Sequence, residues 1–568
     1  MVVFLLGKMD EAKSEIAKLR AYNRTFDGIC EEHSHMSETI ERLTKEGETV
    51  YDPFSGRGTT AIEAALLGRN VLANDVNPLS EMLTRPRLDI PAKVDGRAKY
   101  AIDVAVPGML YAAVAIAPVQ GGKLVSVDPK PAEGMSGVKK VVQLADAVAV
   151  IADSYWRARR ALATLKPEFS DAGHADVSTA SIFAAFDAAL GPAAAVSSGV
   201  ASDGTRVITA DYKAPFLAHA TMEPMVCTVK VSGDHAEVWT GVQDPLNARS
   251  VAAKALGISY ANVQLTNMLL GGGFGRRLPF TFDYVDLAAR IAKQMPGTAV
   301  KTIWSRENDI QHDYYRGAAM SRHAGAIDAS GKPLAVHSVY TGGGNGEAVF
   351  MPYAIADVQA KEKTANHPVR LGQWRSVLNS QHGFFKESFV DELAVAANKD
   401  PFEFRRDLLA AKPRFKAVLE KAADLSQWGT PLPGGEGRGI AICESFGTIA
   451  AEVVHVAVSL EGRLKVRHVY AAVDCGDVVD MNGATAQVEG GIIFALSAAL
   501  LSEITIEQGR VVQTNFRDYP MIHLEDAPAI TTAFVRSDAP LGGLGEPCVP
   551  PLAAALANAI HAAIGIRV

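Results

Sequence analysis

The chain has 568 residues, 48% hydrophobic and 21% charged, with 56 Lys and Arg against 63 Asp and Glu for a net charge of −7. That length exceeds what one core can serve and predicts about three or four domains; the composition excludes a fibrous or disordered chain, and the charge balance gives nucleic acid no basic groove. Five cysteines, Cys30, Cys227, Cys443, Cys475 and Cys548, stand without a CxxC spacing, so neither a disulfide framework nor a protein-held zinc or iron–sulfur site is written here.

The opening MVVFLLGKMDEAK has a short apolar run broken at once by charge, unlike a secretory core. The longest apolar stretch, GGIIFALSAALL from Gly490, is too short to span a bilayer. The expectation is a soluble, cytoplasmic protein with no membrane span. CEEHSH (Cys30 to His35) reads as a polar turn before the helix MSETIERLTKE rather than a metal cluster, because no second ligand pair follows it.

From Asp10 to Leu88 the pattern is helix, strand, glycine turn, helix, strand, the rhythm of one βαβ unit. Gly56 and Gly58 follow an apolar strand where the backbone must turn tightly and approach a ligand, and Asp75 ends the next strand where it can accept from ribose hydroxyls. The string DPFSGRGTT, with ALLGRNVLANDVNPLS downstream, resembles the S-adenosylmethionine-binding half of amino-group DNA methyltransferases. That resemblance implies a cofactor pocket of Asp52, Phe54, Gly56, Gly58 and Asp75. The family's tetrapeptide of Asp, Asn or Ser, then Pro-Pro and an aromatic, does not occur in the chain, so methyl transfer is not expected.

Beyond Arg85 to Pro91 the character changes. Short strands with glycine and proline punctuation, such as DVAVPGMLYAAVAIAP and GKLVSVDP, predict a small α+β domain. Strands such as HAEVWTGVQ and helices such as DYVDLAARIAKQM then alternate to the C-terminus.

Four glycine-rich segments carry the chemistry. NMLLGGGFGRRLPF sets Gly271, Gly272, Gly273 and Gly275 around Phe274 after an apolar strand, offering unhindered N–H groups to an anionic or oxo ligand. GQWRSVLNSQHGFFKESFVDELA runs through Arg375 and Gln381 into a helix expected to start near Glu387. AVDCGDVVDMNGATAQVEGG leads through Gln487, Gly490 and Gly491, and APLGGLGEPCVPP sets Gly545 and Glu546 between glycines and prolines before an alanine-rich helix.

In this order the segments resemble the molybdenum-binding subunit of the xanthine dehydrogenase and aldehyde oxidase superfamily. DIPAKVDGRAKYAIDVAVPGMLYAAV, ATMEP, GGGFGRR and GEPCVPP look like its isoquinoline 1-oxidoreductase beta branch, over residues 89–568. The resemblance implies an α+β, multi-domain molybdopterin-binding architecture with a hammerhead-like small domain, preceded by a partial βαβ, Rossmann-like methyltransferase fragment. Its expected divisions are 1–88, 89–175, 176–345 and 346–568.

By the same resemblance the cofactor is molybdenum–molybdopterin, in its cytosine dinucleotide form, held near Gly271, Gly272, Gly273, Phe274, Gly275, Arg375, Gln381, Gln487, Gly490 and Gly545. Glu546 is the implied catalytic base, since hydroxylation at an electron-poor carbon needs a group that takes a proton. The metal's ligands come from the cofactor itself, so no side chain is assigned as a metal ligand. The implied substrates are N-heterocycles or aldehydes, and the implied partner is a small [2Fe–2S] subunit.

In that branch a leading segment with an export signal and a Gly-Gln-Gly motif grips the cofactor from the opposite side. No Gly-Gln-Gly occurs here, and the methyltransferase-like fragment stands in its place, joined near Arg85 to Asp89. Half of a cofactor cradle loses much of the preorganised hydrogen bonding that binding requires, so the resemblance implies family membership more firmly than activity, and the alternative readings are a DNA methyltransferase remnant or an inactive fusion. Three further sets of residues stay open on sequence alone. His219 and Glu223 suit either a substrate channel or a satisfied core; Arg276 and Arg277 suit either a pterin phosphate or carboxylate partners; Trp239, Trp374 and Phe389 favour core packing.

Overall fold

The computed structural model describes residues 49–52, 70–73, 96–192, 196 and 204–568. The chain divides into two compact units, Met1–Tyr100 and Ala101–Val568. In the first, strands Thr49–Asp52 and Asn70–Ala73 pair in parallel, Thr49 opposite Asn70. The helical part of the expected βαβ unit lies outside the described residues. Of the five residues of the expected S-adenosylmethionine pocket, Asp52 is the last residue of the first strand; Phe54, Gly56, Gly58 and Asp75 lie outside the described residues, as does CEEHSH.

The second unit holds three large sheets. The first has seven strands in the order Val263–Asn267, His235–Thr240, Val226–Ser232, Ala299–Ile303, Leu110–Ile116, Ala147–Ala152 and Val138–Gln143. AVAVIA is buried at every position of Ala147–Ala152, as a strand covered on both faces must be. HAEVWT instead alternates and turns Ala236, Val238 and Thr240 inward. Helix Pro245–Leu256 is bounded by local chemistry: Asp244 accepts from the Asn247 N–H, Pro245 opens the first turn, and Gly257 closes it at φ 73°. Together with Asp283–Ala292 it covers the sheet over a core containing Val229, Val238, Leu256, Ile291 and Trp304.

A second sheet orders Asp357–Glu362, Pro333–Tyr340, Ala319–Ile327 and Arg206–Ala214. The third orders Glu436–Ser445, Thr448–Val458, Leu464–Asp474 and Ala529–Phe534. Helix Pro550–Ile564 lies directly on this last sheet because Gly437 and Gly439 have no side chains: a Cβ on Gly439 would come 2.1 Å from the Ala559 nitrogen and 2.2 Å from the Ala555 oxygen. That contact seats the segment just before the helix, which carries Glu546. Helix Asn379–Ala396 bridges both sheets through Phe385, Phe389 and Leu393, and Gly383 lets it reach the Pro550 carbonyl. It starts eight residues before the expected Glu387, because this packing outweighs the poor propensity of SQHG. The apolar stretch from Gly490 likewise belongs to a longer helix, Met481–Leu500, which by length and composition alone is long enough to cross a membrane. Its Val488, Ile492 and Leu496 are packed in the protein core.

Glu452, at the middle of strand Thr448–Val458, is fully buried between Ala441 and Ala471, and neither carboxyl oxygen has a hydrogen-bond partner. Burial therefore pushes its pKa well above the ordinary 4.5. The folded state keeps this proton at a pH where the unfolded chain has released it, so stability falls as pH rises above about 4.5. Glu452→Gln removes that dependence, and its advantage over the wild type should grow by about 1.4 kcal/mol per pH unit. Urea unfolding of both proteins between about pH 5 and about pH 7 checks this; parallel stability curves would contradict it.

Candidate active site

The GGGFGRR turn follows strand Val263–Asn267 and precedes helix Asp283–Ala292. Gly272 and Gly275 take φ of 109° and 113°, values that a side chain resists, and Phe274 between them takes 54°. Glu223 grips the turn from ATMEP. Its Oε2 accepts from the Gly271 N–H at 3.1 Å and from Arg277 Nη2 at 3.0 Å, while Oε1 accepts from the Ile102 N–H at 3.0 Å. On the other side Gln243 Oε1 accepts from the Gly275 and Arg277 N–H groups, both at 3.3 Å.

Arg276 and Arg277 are both buried and ion-paired to interior carboxylates. Arg276 meets Asp283 at 2.8 Å and Asp313 at 3.0 Å; Arg277 meets Glu223 and donates to the Gly241 carbonyl at 3.0 Å. Burial opposes ionisation of Asp313, yet His219 and Arg276 outweigh it and hold its carboxyl below the usual range. His219 faces Asp313 through Nδ1 at 2.9 Å and the Gln373 carbonyl through Nε2 at 2.7 Å. Glu223, Gln243, Asp283, Asp313 and His219, through Arg276, Arg277 and the main chain, therefore lock the turn in place. Arg277→Met would leave the Glu223 carboxylate buried without its cation, and should cost about 3 kcal/mol or more by denaturant unfolding; a loss below about 1 kcal/mol would show that the pair is dispensable.

The segment Gln373 to Ser376 joins this turn to the others. Gly275 rests on the Gln373 carbonyl so closely that a Cβ would lie 1.7 Å from its oxygen. Phe494, from helix Met481–Leu500, stacks on Trp374 at 4.5 Å and tilts against Phe274 at 4.8 Å. Arg375 donates through Nε to the Gly545 carbonyl at 2.6 Å and through Nη2 to the main-chain and side-chain oxygens of Gln487, each at 3.2 Å. Burial lowers the Arg375 pKa, while Cys548 and Glu546 oppose that shift. The Ser376 N–H donates to Glu546 Oε2 at 2.6 Å. Ser376 and Val377 hold φ of 80° and 53°, a local strain that surrounding contacts must maintain.

Gly271, Gly272, Gly273, Phe274, Gly275, Arg375, Gln487, Gly490, Gly545 and Glu546 are thus linked by contacts through one short segment. Gly490 and Gly545 complete the group, with only Arg375 Nη1 at 3.9 Å and Gln487 Oε1 at 3.8 Å near where their Cβ atoms would be. Gln381 lines a cavity with Arg316 and Trp374, is met by Ser380 Oγ at 3.3 Å, and shares no hydrogen bond with this network. His219 and Glu223 brace the turn, and Trp374 and Phe389 are core residues. Gln243, Phe494 and the Ser376 N–H were not singled out from sequence. Gln243 stands between a strand and an N-cap, Phe494 in a helix apolar on most sides, and a main-chain donor leaves no mark in the sequence.

A molybdopterin cofactor-binding domain family matches residues 191–409, and a second such family matches 402–528. The membrane-bound aldehyde dehydrogenase (pyrroloquinoline-quinone) of Gluconacetobacter polyoxogenes is 31% identical, over 84% of this chain and 70% of its own. The chain belongs to the molybdopterin cofactor-binding oxidoreductase family. The isoquinoline 1-oxidoreductase subunit beta of Brevundimonas diminuta is 32% identical over 84% of the chain, which spans 65% of that relative's length. The fold is shared with quinoline 2-oxidoreductase from Pseudomonas putida 86, with a TM-score of 0.71 at 13% identity over 84% of this chain and 94% of that one. A DNA methylase family matches residues 33–80, within the segment where the methyltransferase resemblance was read.

Proposed function

We propose that residues 89–568 form the cofactor-bearing large subunit of a molybdenum-dependent hydroxylase or dehydrogenase. It oxidises N-heterocycles or aldehydes with water as the oxygen source and passes the electrons to a small [2Fe–2S] subunit. The observation that carries this reading is the bond from the Ser376 N–H to Glu546 Oε2, on a segment in contact with the GGGFGRR turn.

The residues present fit such a cofactor. A Cβ on Gly490 or Gly545 would meet nothing closer than 3.9 Å or 3.8 Å, and Phe274 is 37% exposed. The turn Gly271 to Gly275, with Arg375, Gln487, Gly490 and Gly545, would hold the molybdopterin, proposed in its cytosine dinucleotide form. When bound, the group supplies a two-electron acceptor and carries an oxygen atom from water to an electron-poor carbon.

The chain's own residues do the rest. Ser376 fixes Glu546 through Oε2, so Oε1 is the atom that takes the proton. Arg375 ties the Gly545 carbonyl to Gln487 and so sets the turn that carries the base. Phe274, Phe494 and Trp374 form an aromatic wall that excludes water on one side. The proposed divisions of the chain remain 1–88, 89–175, 176–345 and 346–568. For the first of these the methylase match at 33–80 favours a methyltransferase remnant, with S-adenosylmethionine at most a weak ligand and, for want of the catalytic tetrapeptide, no methyl transfer.

Turnover of an N-heterocycle or aldehyde in ¹⁸O-labelled water, with an artificial electron acceptor and a co-expressed iron–sulfur partner, tests the reading. The label should enter the product. Product oxygen drawn from O₂ would overturn it.

A further inference from the structure

Against Trp374 lies a cavity of about 250 Å³ that does not include Glu546 in its lining. Its walls are apolar, built from Phe384, Leu556, Ile560 and a series of alanines on helices Met481–Leu500 and Pro550–Ile564. Four polar side chains line it: Lys213, which is exposed with its Nζ over the Phe183 ring at 5.8 Å, and Ser380, Arg316 and Gln381, of which the last two have unmet bonding capacity. Arg316 is buried, and its Nε has no hydrogen-bond partner. Its other nitrogens donate only to the Pro215 carbonyl at 2.8 Å and, weakly, to Ser380 Oγ at 3.4 Å. Among the described residues no carboxylate comes within 4.0 Å of the guanidinium, the terminal carboxylate of Val568 at the rim included. Gln381 is 1% exposed, and its Nε2 likewise has no partner.

A buried guanidinium without a counter-ion is costly, and its free edge matches the fork of a carboxylate. Lys213 is exposed to solvent and Arg316 is the buried cation, and a single buried positive charge favours a monoanion over a phosphate dianion. The apolar walls call for a hydrocarbon body, and the volume falls below the range of about 300–1,000 Å³ for drug-sized ligands. We infer that this cavity is a binding site for a small apolar carboxylate, an aryl or short alkyl acid, whose carboxylate pairs with Arg316 and accepts from Gln381 Nε2 while its body lies among the alanines. Burial, which pulls the Arg316 pKa down to about 10, is relieved when such an anion enters.

The site is independent of molybdenum content, so the test uses the full chain whether or not it carries the metal. Benzoate is titrated calorimetrically against the wild type, with benzyl alcohol as its neutral counterpart. Benzoate should saturate at one site and bind at least about ten-fold tighter than the alcohol. Arg316→Gln should weaken benzoate by about ten-fold and leave the alcohol unchanged. Because Arg316→Gln could misfold, Ala553→Phe provides a second variant: it fills the cavity from its wall and should abolish binding of both probes while the unfolding transition persists. Absence of saturation in the wild type, equal affinity for the two probes, or benzoate binding that survives in a folded Ala553→Phe protein would each overturn the inference.

Discussion

Glu546→Gln should lower the turnover number by about 10²- to 10⁴-fold, the range expected when a positioned general base is lost. The amide keeps the shape of the carboxylate, and its oxygen still accepts from the Ser376 N–H, so the Arg375, Gly545 and Gln487 contacts should survive. Stability and the affinity for substrate should therefore change little, and the loss should appear in kcat rather than in KM. Steady-state kinetics of both proteins, alongside their unfolding transitions, separate the outcomes. Turnover within about three-fold of the wild type would show that the proton goes elsewhere.

The second large effect is structural. Gly275→Ala should cost about 3 kcal/mol or more and should detach the GGGFGRR turn from the segment that carries Trp374 and Arg375. A methyl group at this position would overlap the Gln373 carbonyl oxygen at 1.7 Å, and that carbonyl is itself held by His219 Nε2 at 2.7 Å. The backbone cannot step aside without breaking this bond, and φ of 113° excludes a relaxed alanine in any case. Denaturant unfolding and the molybdenum content of the purified variant should fall together. An unchanged midpoint with full metal retention would show that the two segments are not coupled through Gly275.

Much of this site was legible because glycine leaves a local signature. Gly272 and Gly275, read as a ligand-facing turn, stand at positive φ, whereas the close helix contact at Gly437 and Gly439 shows only in the folded chain. The strand in HAEVWTGVQ and the helix in DYVDLAARIAKQM are likewise where their sequences place them. What the sequence did not reveal are the long-range pairings. Arg276 and Arg277 have the composition of a surface or phosphate-binding pair, and only the folded chain brings Asp283, Asp313 and Glu223 to them. Gln381 shares a segment with Arg375 yet lines a separate cavity with Arg316, because the turn at Ser376 and Val377 redirects the chain before helix Asn379–Ala396 begins. The start of that helix was misplaced for a related reason: packing against the Pro550 carbonyl overrides the local preference of SQHG.

The most direct test of the central claim is metal analysis of the purified full chain, expressed with an iron–sulfur partner in cells that make molybdopterin. If glycine turns far apart in sequence converge to hold the cofactor beside Glu546, the wild type and Glu546→Gln should both carry about one molybdenum atom per chain. A wild-type chain that unfolds cooperatively and carries no molybdenum would contradict the account.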